Sequence, residues 1–440
     1  MTKKTRLPAR AALLSAGGAL TLAVLHGNVL AQGADATASP NSPSPYYIGA
    51  SQAFTYDSNV YRVPFGPSDT YSSTSLLAGF DQPISRQRLR GRANVSANHY
   101  FDESRLNNTS YALNAGLDWA TIANLSGTVD ASLDRHLAAP SASSTAPTTR
   151  RNLAQTERLD LVARWGGPSL FTLEGRLGYS QLDYSAPEYI TAESRSDTAS
   201  LGAYYHPRGP LRLGVAARFT HTRTPNALFD PATGTYQSNA VNGKNLDLLA
   251  DYALTGLMDA SARLSYTRQT NSTLGSDTDF SGLTGSLSLA WRPTAKIGVK
   301  LDLARDAGVD AARYGTFAVV QNGNTITLAP VTGLYENNRI TNTAGLGLTY
   351  AATAKISANA GVRYSRAHLV STLAGPTATT AGPETTDTLR SAYLGANWAI
   401  ARNWGLACNL AHEYRKVSGA VAYGYKADTV GCSAQYIVHL

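Results

Sequence analysis

Few residues of this sequence are arranged in a way that could support catalysis. The chain contains no GxSxG, HExxH or CxxC motif and no glycine-rich phosphate-binding loop. A hydrolytic site needs a nucleophile held beside a base, and the sequence pairs no serine with any histidine in this way. We therefore expect no enzymatic activity, no metal site and no cofactor. The eight histidines are scattered along the chain, at His26, His99, His136, His206, His221, His368, His412 and His439.

The most regular spacing among charged residues belongs to arginines. Arg88, Arg90 and Arg92 alternate with apolar or small residues, and successive side chains of a strand point to opposite faces. The spacing therefore predicts three guanidinium groups in one row. The same parity places other charges on the equivalent face of later strands. The cations on that face include Arg164, Arg176, Arg212, Arg218, Arg263, Lys300 and Arg363, and the acids include Asp118, Asp130, Glu174, Asp247 and Asp251.

Two interpretations of these charges remain open. Mixed charges on an inward face can form a structural network that holds the walls of a wide barrel apart. They can also line a polar, slightly cation-rich conduit for an anionic or heavily hydroxylated solute.

The chain has two cysteines, too few for a disulfide scaffold or a cysteine-ligated zinc site. Cys408 and Cys432 are equidistant from a predicted turn centred at residue 420, so they would face each other across the last hairpin. In an oxidising compartment facing cysteines can be oxidised. The spacing predicts a structural Cys408–Cys432 disulfide, with two buried free thiols as the alternative.

The N-terminus indicates the compartment. Four basic residues within the first ten are followed by an apolar stretch over residues 11–25 and by small residues before a cleavage point after Ala31. This is the pattern of a secretory signal peptide over residues 1–31. Residues 32–45 then read as a flexible segment. Removing the signal peptide lowers the formal net charge from +8 to about +4, which gives no reason to expect nucleic-acid binding.

The remainder, residues 46–440, alternates apolar and polar residues in segments of about 10–14 residues, longer than the strands of soluble sandwiches. Leu170–Tyr179 is a clear example. Charged residues are only 15% of the chain, and the mean hydropathy of −0.20 excludes a bundle of membrane helices. The pattern predicts an all-β fold: a transmembrane antiparallel up-and-down β-barrel of about 18 strands, give or take two, in the outer membrane of a Gram-negative bacterium.

The predicted connections alternate between short turns and longer loops, as in bacterial barrels with short periplasmic turns. Among the longer segments, Pro225–Asn242 and Ala307–Asn337 are expected to be irregular loops, and the second is the best candidate for a constriction of the lumen. Aromatic residues precede the short turns, which predicts a periplasmic aromatic girdle. Its members are Phe80, Trp119, Trp165, Tyr205, Tyr252, Trp291, Tyr350 and Trp398.

The last segment, Val430–Leu440, alternates like a terminal strand read by the barrel-assembly machinery, although such strands usually end in Phe or Trp rather than Leu. We therefore expect outer-membrane lipid and this machinery to be partners.

Three further segments carry a resemblance: Tyr47–Arg62 with its Tyr-Asp-Ser-Asn-Val-Tyr run, Ser68–Arg88, and Thr429–Tyr436. With them the mature chain resembles the EpsL-type outer-membrane β-barrels, which are encoded in exopolysaccharide biosynthesis operons of Gram-negative bacteria, often beside an exosortase system. The resemblance implies a role in exopolysaccharide export, with the polysaccharide and its export proteins as partners, and it carries over no catalytic residue. The alternatives are a general diffusion porin and a structural or adhesive barrel without transport.

Overall fold

The computed structural model describes residues 44–440 except 139–149, 168, 208, 231–232, 255–256, 273–278, 323–324, 375–378, 382–384 and 419–423. The predicted signal peptide and residues 32–43 of the predicted flexible segment lie outside the described residues. No helix in the described part of the chain is long and apolar enough to cross a membrane.

The described residues form nineteen β-strands and two short 3-10 helices, Ser104–Leu106 and Pro187–Ala192. The strands are β1 (Tyr46–Asp57), β2 (Asp69–Ile84), β3 (Gln87–Tyr100), β4 (Asn108–Ala120), β5 (Leu125–Leu137), β6 (Leu153–Trp165), β7 (Phe171–Tyr184), β8 (Ser194–Tyr205), β9 (Leu211–Asp230), β10 (Thr235–Leu254), β11 (Met258–Asn271), β12 (Phe280–Trp291), β13 (Ile297–Asn322), β14 (Thr325–Ala351), β15 (Ile356–Ala374), β16 (Thr379–Ala381), β17 (Thr385–Ala399), β18 (Trp404–Ser418) and β19 (Tyr425–His439).

The strands close into a barrel. Each long strand pairs antiparallel with the next along the chain, and β19 also pairs with β1, from Tyr47 opposite His439 to Asp57 opposite Thr429. The three-residue β16 only extends β15, which itself pairs directly with β17. The described wall therefore has eighteen long strands and no free edge. This confirms the predicted fold class and strand count.

The two faces of the wall differ in polarity, and β7 shows the difference. Its outward Leu173 and Leu177 are 47% and 57% exposed, whereas its inward Thr172 and Glu174 are buried. Other large exposed apolar side chains of the strands, such as Leu201 on β8, also point outward. An apolar exterior on a closed barrel is stable only against lipid, because in water it would remain unburied.

The connections alternate as predicted. Those at one end are short, for example residues 85–86, 121–124 and 400–403, and the first and last strands begin and finish at the same end. Two predicted loops are wrong. β9 and β10 extend through most of Pro225–Asn242, and Ala307–Asn337 is a hairpin whose β13–β14 pairing continues to Asn322 opposite Thr325.

The physical reason lies in the backbone. The proline, glycine and asparagine content of the second segment suggested an irregular loop. However, its runs of Thr, Val, Ile and Phe favour extended structure, and continued pairing satisfies backbone N–H and C=O groups that a loop would leave to water. The expected constriction therefore has no irregular loop to form it.

The cysteines lie opposite each other in the β18–β19 ladder, and their sulfur atoms are bonded. The Cα atoms are 4.1 Å apart. Both side chains have the outward parity of Leu410 and Val430, which are about half exposed. The bond therefore joins the last two strands on the lipid-facing side of the wall.

Replacing both cysteines, Cys408→Ser with Cys432→Ser, should leave the barrel able to assemble but lower its free energy of unfolding by about 3 kcal/mol, because the cross-link restricts the unfolded chain. Urea unfolding of the two proteins in detergent measures this difference. The wild-type barrel unfolded under reducing conditions is the control and should match the variant. Free thiols detected by maleimide labelling of the unreduced wild type would contradict the prediction.

Candidate functional site

The inner wall of the barrel is hydrophilic. On β11 the inward side chains are Asp259, Ser261, Arg263, Ser265, Thr267 and Gln269. Serine, threonine, asparagine and glycine fill many inward positions of the other described strands, with few large apolar side chains among them. A barrel of this strand number is wide enough to hold water. The wall is therefore the part of the molecule suited to contact a polar solute.

One carboxylate organises the charges of the wall. Glu174 on β7 is only 2% exposed and accepts hydrogen bonds from arginines on three strands. The Nε atoms of Arg164 and Arg176 donate at 2.7 and 2.6 Å, and Nη2 of Arg212 donates at 3.0 Å. The hydroxyl of Tyr204 donates at 3.2 Å, and its ring lies 3.5 Å beneath the Arg212 guanidinium carbon. Three cations thus surround one anion, and their side chains stay 17–27% exposed.

Further ion pairs continue this network around the wall. Arg212 also reaches Asp251 at 3.3 Å, and Arg218 holds Asp247 through two contacts of 2.8 and 3.1 Å. Arg263 lies 4.0 Å from Asp306 on β13. We call this set the charged wall. It consists of Arg164, Glu174, Arg176, Arg212, Arg218, Asp247, Asp251, Arg263 and Asp306.

The predicted arginine row forms a smaller group on neighbouring strands. Arg88 pairs with Asp81 on β2, and Arg90 lies 3.0 Å from Asp118 and 3.2 Å from Asp130. Every one of these charges points inward by the register of β2 to β5. The group therefore joins four strands through shared acids.

All ten lumen-facing cations named from the sequence have the inward parity in the register of the barrel. Arg92 continues the row of Arg88 and Arg90, whereas Lys300 stands apart on β13, where it pairs with Asp302 at 3.2 Å and remains 64% exposed. The inward rows carry acids and bases in near-equal numbers. The described wall is thus close to balanced in charge rather than slightly cation-rich, because most of its arginines have an acid beside them.

Inward tyrosines form a feature that the sequence analysis did not identify. Tyr47, Tyr204 and Tyr393 each lie flat against a glycine of the adjacent strand. At Gly361, for example, an added Cβ would come within 2.5 Å of the Tyr393 ring. Glycine leaves room for the ring to lie along the wall instead of projecting into the lumen. Tyr47 and Tyr204 are buried, whereas Tyr393 is only half-buried and can contact the apolar side of a sugar ring. The sequence feature that could have predicted these contacts is an inward glycine that faces an inward tyrosine on the adjacent strand.

A second missed feature lies at the mouth of the barrel, at the end with the longer loops. Arg62, in the β1–β2 loop, is 1% exposed and binds both carboxylate oxygens of Asp57 at 2.7 and 2.8 Å. Its Nε contacts Glu413 of β18 at 2.9 Å. Asn59 of the same loop donates to the carbonyl of Lys426 on β19 at 2.9 Å. The loop is thus fixed to the inner side of β18 and β19.

The charge of Arg62 is retained despite its burial. Burial alone would lower the pKa of Arg62, but the nearby negative charges of Asp57 and Glu413 outweigh it and raise the pKa above its usual value. Arg62 also has a positive φ of 51°, a strained conformation that the surrounding contacts must maintain. The Tyr-Asp-Ser-Asn-Val-Tyr run, which carried the family resemblance, is therefore a structural element of the mouth.

The predicted girdle residues lie near the short-connection end, on the outward face. Trp165, Trp291 and Trp398 are 46–61% exposed, and Tyr205 lies 5.3 Å from Phe171, measured between ring centroids. The ring of Trp119 covers Gly127 of β5. Their contact with a membrane interface remains a prediction.

Two histidines lie beside acids of the wall. His136 contacts Asp134 at 2.6 Å and His412 contacts Asp428 at 2.7 Å. Within the described ranges, no group of three or more His, Cys, Asp or Glu side chains is placed to hold a metal ion.

Replacing the central carboxylate, Glu174→Gln, should leave three arginines without their shared anion. We expect a clear shift of the reversal potential toward anion selectivity, together with a loss of about 3 kcal/mol in stability. Planar-bilayer recordings across a salt gradient measure the first and urea unfolding the second. Asp302→Asn, which removes an exposed carboxylate of the same wall, is the control and should change both quantities much less. Equal effects of the two substitutions would contradict a central role for Glu174.

Replacing the mouth arginine, Arg62→Ala, should release the β1–β2 loop, because Asp57 and Glu413 would remain buried without a cation. Such a loss costs about 4 kcal/mol. Proteinase K should then cleave within residues 58–68, where we expect the wild type to resist cleavage. Arg62→Lys keeps the charge but cannot bind both acids in the same geometry, so it should be intermediate. Unchanged protection of Arg62→Ala would show that other contacts hold the loop.

No protein-family model matches the chain, and no curated protein matches it by sequence. Among solved structures, the chain is similar to a mutant of the ferric enterobactin receptor PfeA of Pseudomonas aeruginosa, with a TM-score of 0.43 and 11% identity over 89% of this chain and 80% of that one. It is also similar to the siderophore receptor PirA of Acinetobacter baumannii, with a TM-score of 0.42, 8% identity and the same coverages. The outer membrane protein OpdK of P. aeruginosa gives a TM-score of 0.41 and 12% identity over 89% of this chain and 98% of that one. The closed sheet, the apolar exterior and the polar inner wall together make this protein a closed antiparallel β-barrel of the outer-membrane type.

Proposed function

We propose that the protein is an outer-membrane channel that takes part in exopolysaccharide export and contacts an anionic or heavily hydroxylated glycan along its inner wall. The charged wall is the observation that carries this proposal. Arg164, Arg176 and Arg212 converge on Glu174 while part of each side chain stays open to the lumen. Guanidinium groups are rigid and donate several hydrogen bonds at once, which suits carboxylate groups and sugar hydroxyls.

Two further observations support a glycan. The ring of Tyr393 lies along the inner wall beside Gly361 and is only half-buried, so it can contact the apolar side of a sugar ring. The resemblance of Tyr47–Arg62 and Thr429–Tyr436 to the EpsL-type barrels points to the same class of solute. The short connections would face the periplasm and the mouth formed by the β1–β2 loop would face outward, with the barrel-assembly machinery and periplasmic export proteins as partners.

A general diffusion porin is the main alternative. Such a channel would be expected to set an acidic cluster against a basic one across its constriction. Here acids and bases alternate within one sector, with Arg218 beside Asp247 and Arg212 beside Asp251. Alternating acids and bases can make successive contacts along a glycan chain. They do not produce the electric field across the lumen that separated acidic and basic clusters would exert on small ions.

Single-channel recordings of the purified barrel test the proposal. We expect a stable conductance that acidic oligosaccharides such as oligogalacturonate interrupt, and neutral maltooligosaccharides interrupt less. Replacing Arg164→Gln and Arg176→Gln together should shorten the blockades about tenfold, as expected for the loss of charge-assisted hydrogen bonds. Lys300→Gln removes an inward cation outside the charged wall and should leave the blockades unchanged.

Two results would overturn the proposal. A correctly folded barrel that does not conduct would indicate a structural or adhesive role. A conducting barrel whose current is insensitive to oligosaccharides of either kind would favour the diffusion porin.

A further inference from the structure

The outer wall contains a groove on strands β6 to β10 with a volume of about 530 Å³. Its apolar part results from side-chain size. Ala199 on β8 lies between Leu177 on β7 and Phe219 on β9 in the ladder register, so a small residue separates two large ones. Leu159 and Leu161 on β6 extend the groove. Because this is the lipid-facing side of a closed barrel, its apolar length can accept an acyl chain.

Exposed cations lie at the margin of the groove, where Lys244 lines it, and beyond it toward the end with the longer loops. Arg195 on β8 is directly opposite Arg223 on β9, and Lys244 on β10 is directly opposite Arg268 on β11. Like charges in such positions repel each other. No ion pair within 4 Å involves any of these four side chains in the part of the chain that the structure describes. Their juxtaposition therefore destabilises the bare wall and would be relieved by an anion bound between them.

The acids near this patch are few. Asp197 is the acid within the groove itself, opposite His221, whose ring bonds Asn242 at 2.8 Å. On the neighbouring strands, Glu157 and Asp183 each accept a hydrogen bond from a glutamine. The four cations therefore outnumber the acid among them. The Arg195 guanidinium is also held in place, 4.8 Å above the Tyr179 ring.

We propose that this surface, named the lipid patch, binds one phosphorylated, multiply acylated glycolipid of the outer leaflet, of the lipid A type. An acyl chain would lie in the groove over Ala199. The phosphates would bind between Arg223, Lys244 and Arg268, since arginine binds phosphate oxygens through two parallel hydrogen bonds. The inference rests on the proposed orientation, with the longer loops outside, because phosphorylated lipid must then meet the barrel at the height of these cations.

Native mass spectrometry of the purified full-length barrel in detergent tests this assignment. We expect one equivalent of added lipid A to be retained, phosphatidylethanolamine to be retained far less, and inorganic phosphate not to be retained at all. Replacing Arg223→Gln and Arg268→Gln together should weaken retention of lipid A at least tenfold. Arg366→Gln with Lys416→Gln is the matched control, since both side chains face outward opposite Thr388 on the other side of the barrel.

A second variant tests the groove without changing charge. Ala199→Trp fills the space between Leu177 and Phe219 and should also abolish stable retention of lipid A, even if the arginine variant fails to fold. Equal retention by the patch and control variants, or by Ala199→Trp and wild type, would overturn the inference. A barrel that binds inorganic phosphate as well as lipid A would show a free-anion site instead. Because the lipid patch lies outside the lumen, its variants should leave oligosaccharide blockade unchanged, so this inference can fail while the channel function stands.

Discussion

Backbone hydrogen bonding in a medium without water is the constraint on which the rest of this structure depends. Each strand that crosses the bilayer must give its N–H and C=O groups to a neighbour, and a first strand can do so only by meeting the last one. The β1–β19 ladder provides this pairing over eleven residue pairs. Once the sheet is closed, side chains along each strand point alternately to the lumen and to lipid. The polarity of each position therefore follows from its register.

The charges of the inner wall follow from the same geometry. An inward arginine faces the lumen, and the neighbouring strands place acids beside most of these arginines. Sharing Glu174 among three arginines keeps those groups rigid without neutralising all of their charge. A wall built in this way can be both a structural network and a polar surface for a solute. A structural network and a polar conduit, the two interpretations left open by the sequence, are therefore compatible, although the described wall is balanced in charge rather than cation-rich.

The sequence predicted those features that depend on parity. Period-two alternation gave the fold, the strand number and the inward side of Arg88, Arg176 and Lys300, because a residue's face depends only on counting along its strand. It failed where the outcome depends on relations between strands. The balance of charge, the glycines beneath Tyr204 and Tyr393, and the burial of Arg62 all require knowing which residues become neighbours. The long β13–β14 hairpin was missed because amino-acid composition indicates how flexible an isolated segment is. It does not show which other segment will pair with it and order it.

The contacts around the closing strands have a consequence for the path of a transported molecule. The ladder between β1 and β19 is reinforced at the mouth by Arg62, which reaches Glu413 from the loop after β1, and by Asn59, which reaches the backbone of Lys426. The disulfide fixes β18 to β19 beside this junction. In a barrel the seam between the first and last strands is the natural place for a lateral gate, through which a lipophilic cargo could leave sideways into the membrane. Here the β1–β19 ladder, the loop contacts and the disulfide hold that seam closed, which favours exit along the barrel axis for the cargo of the proposed channel.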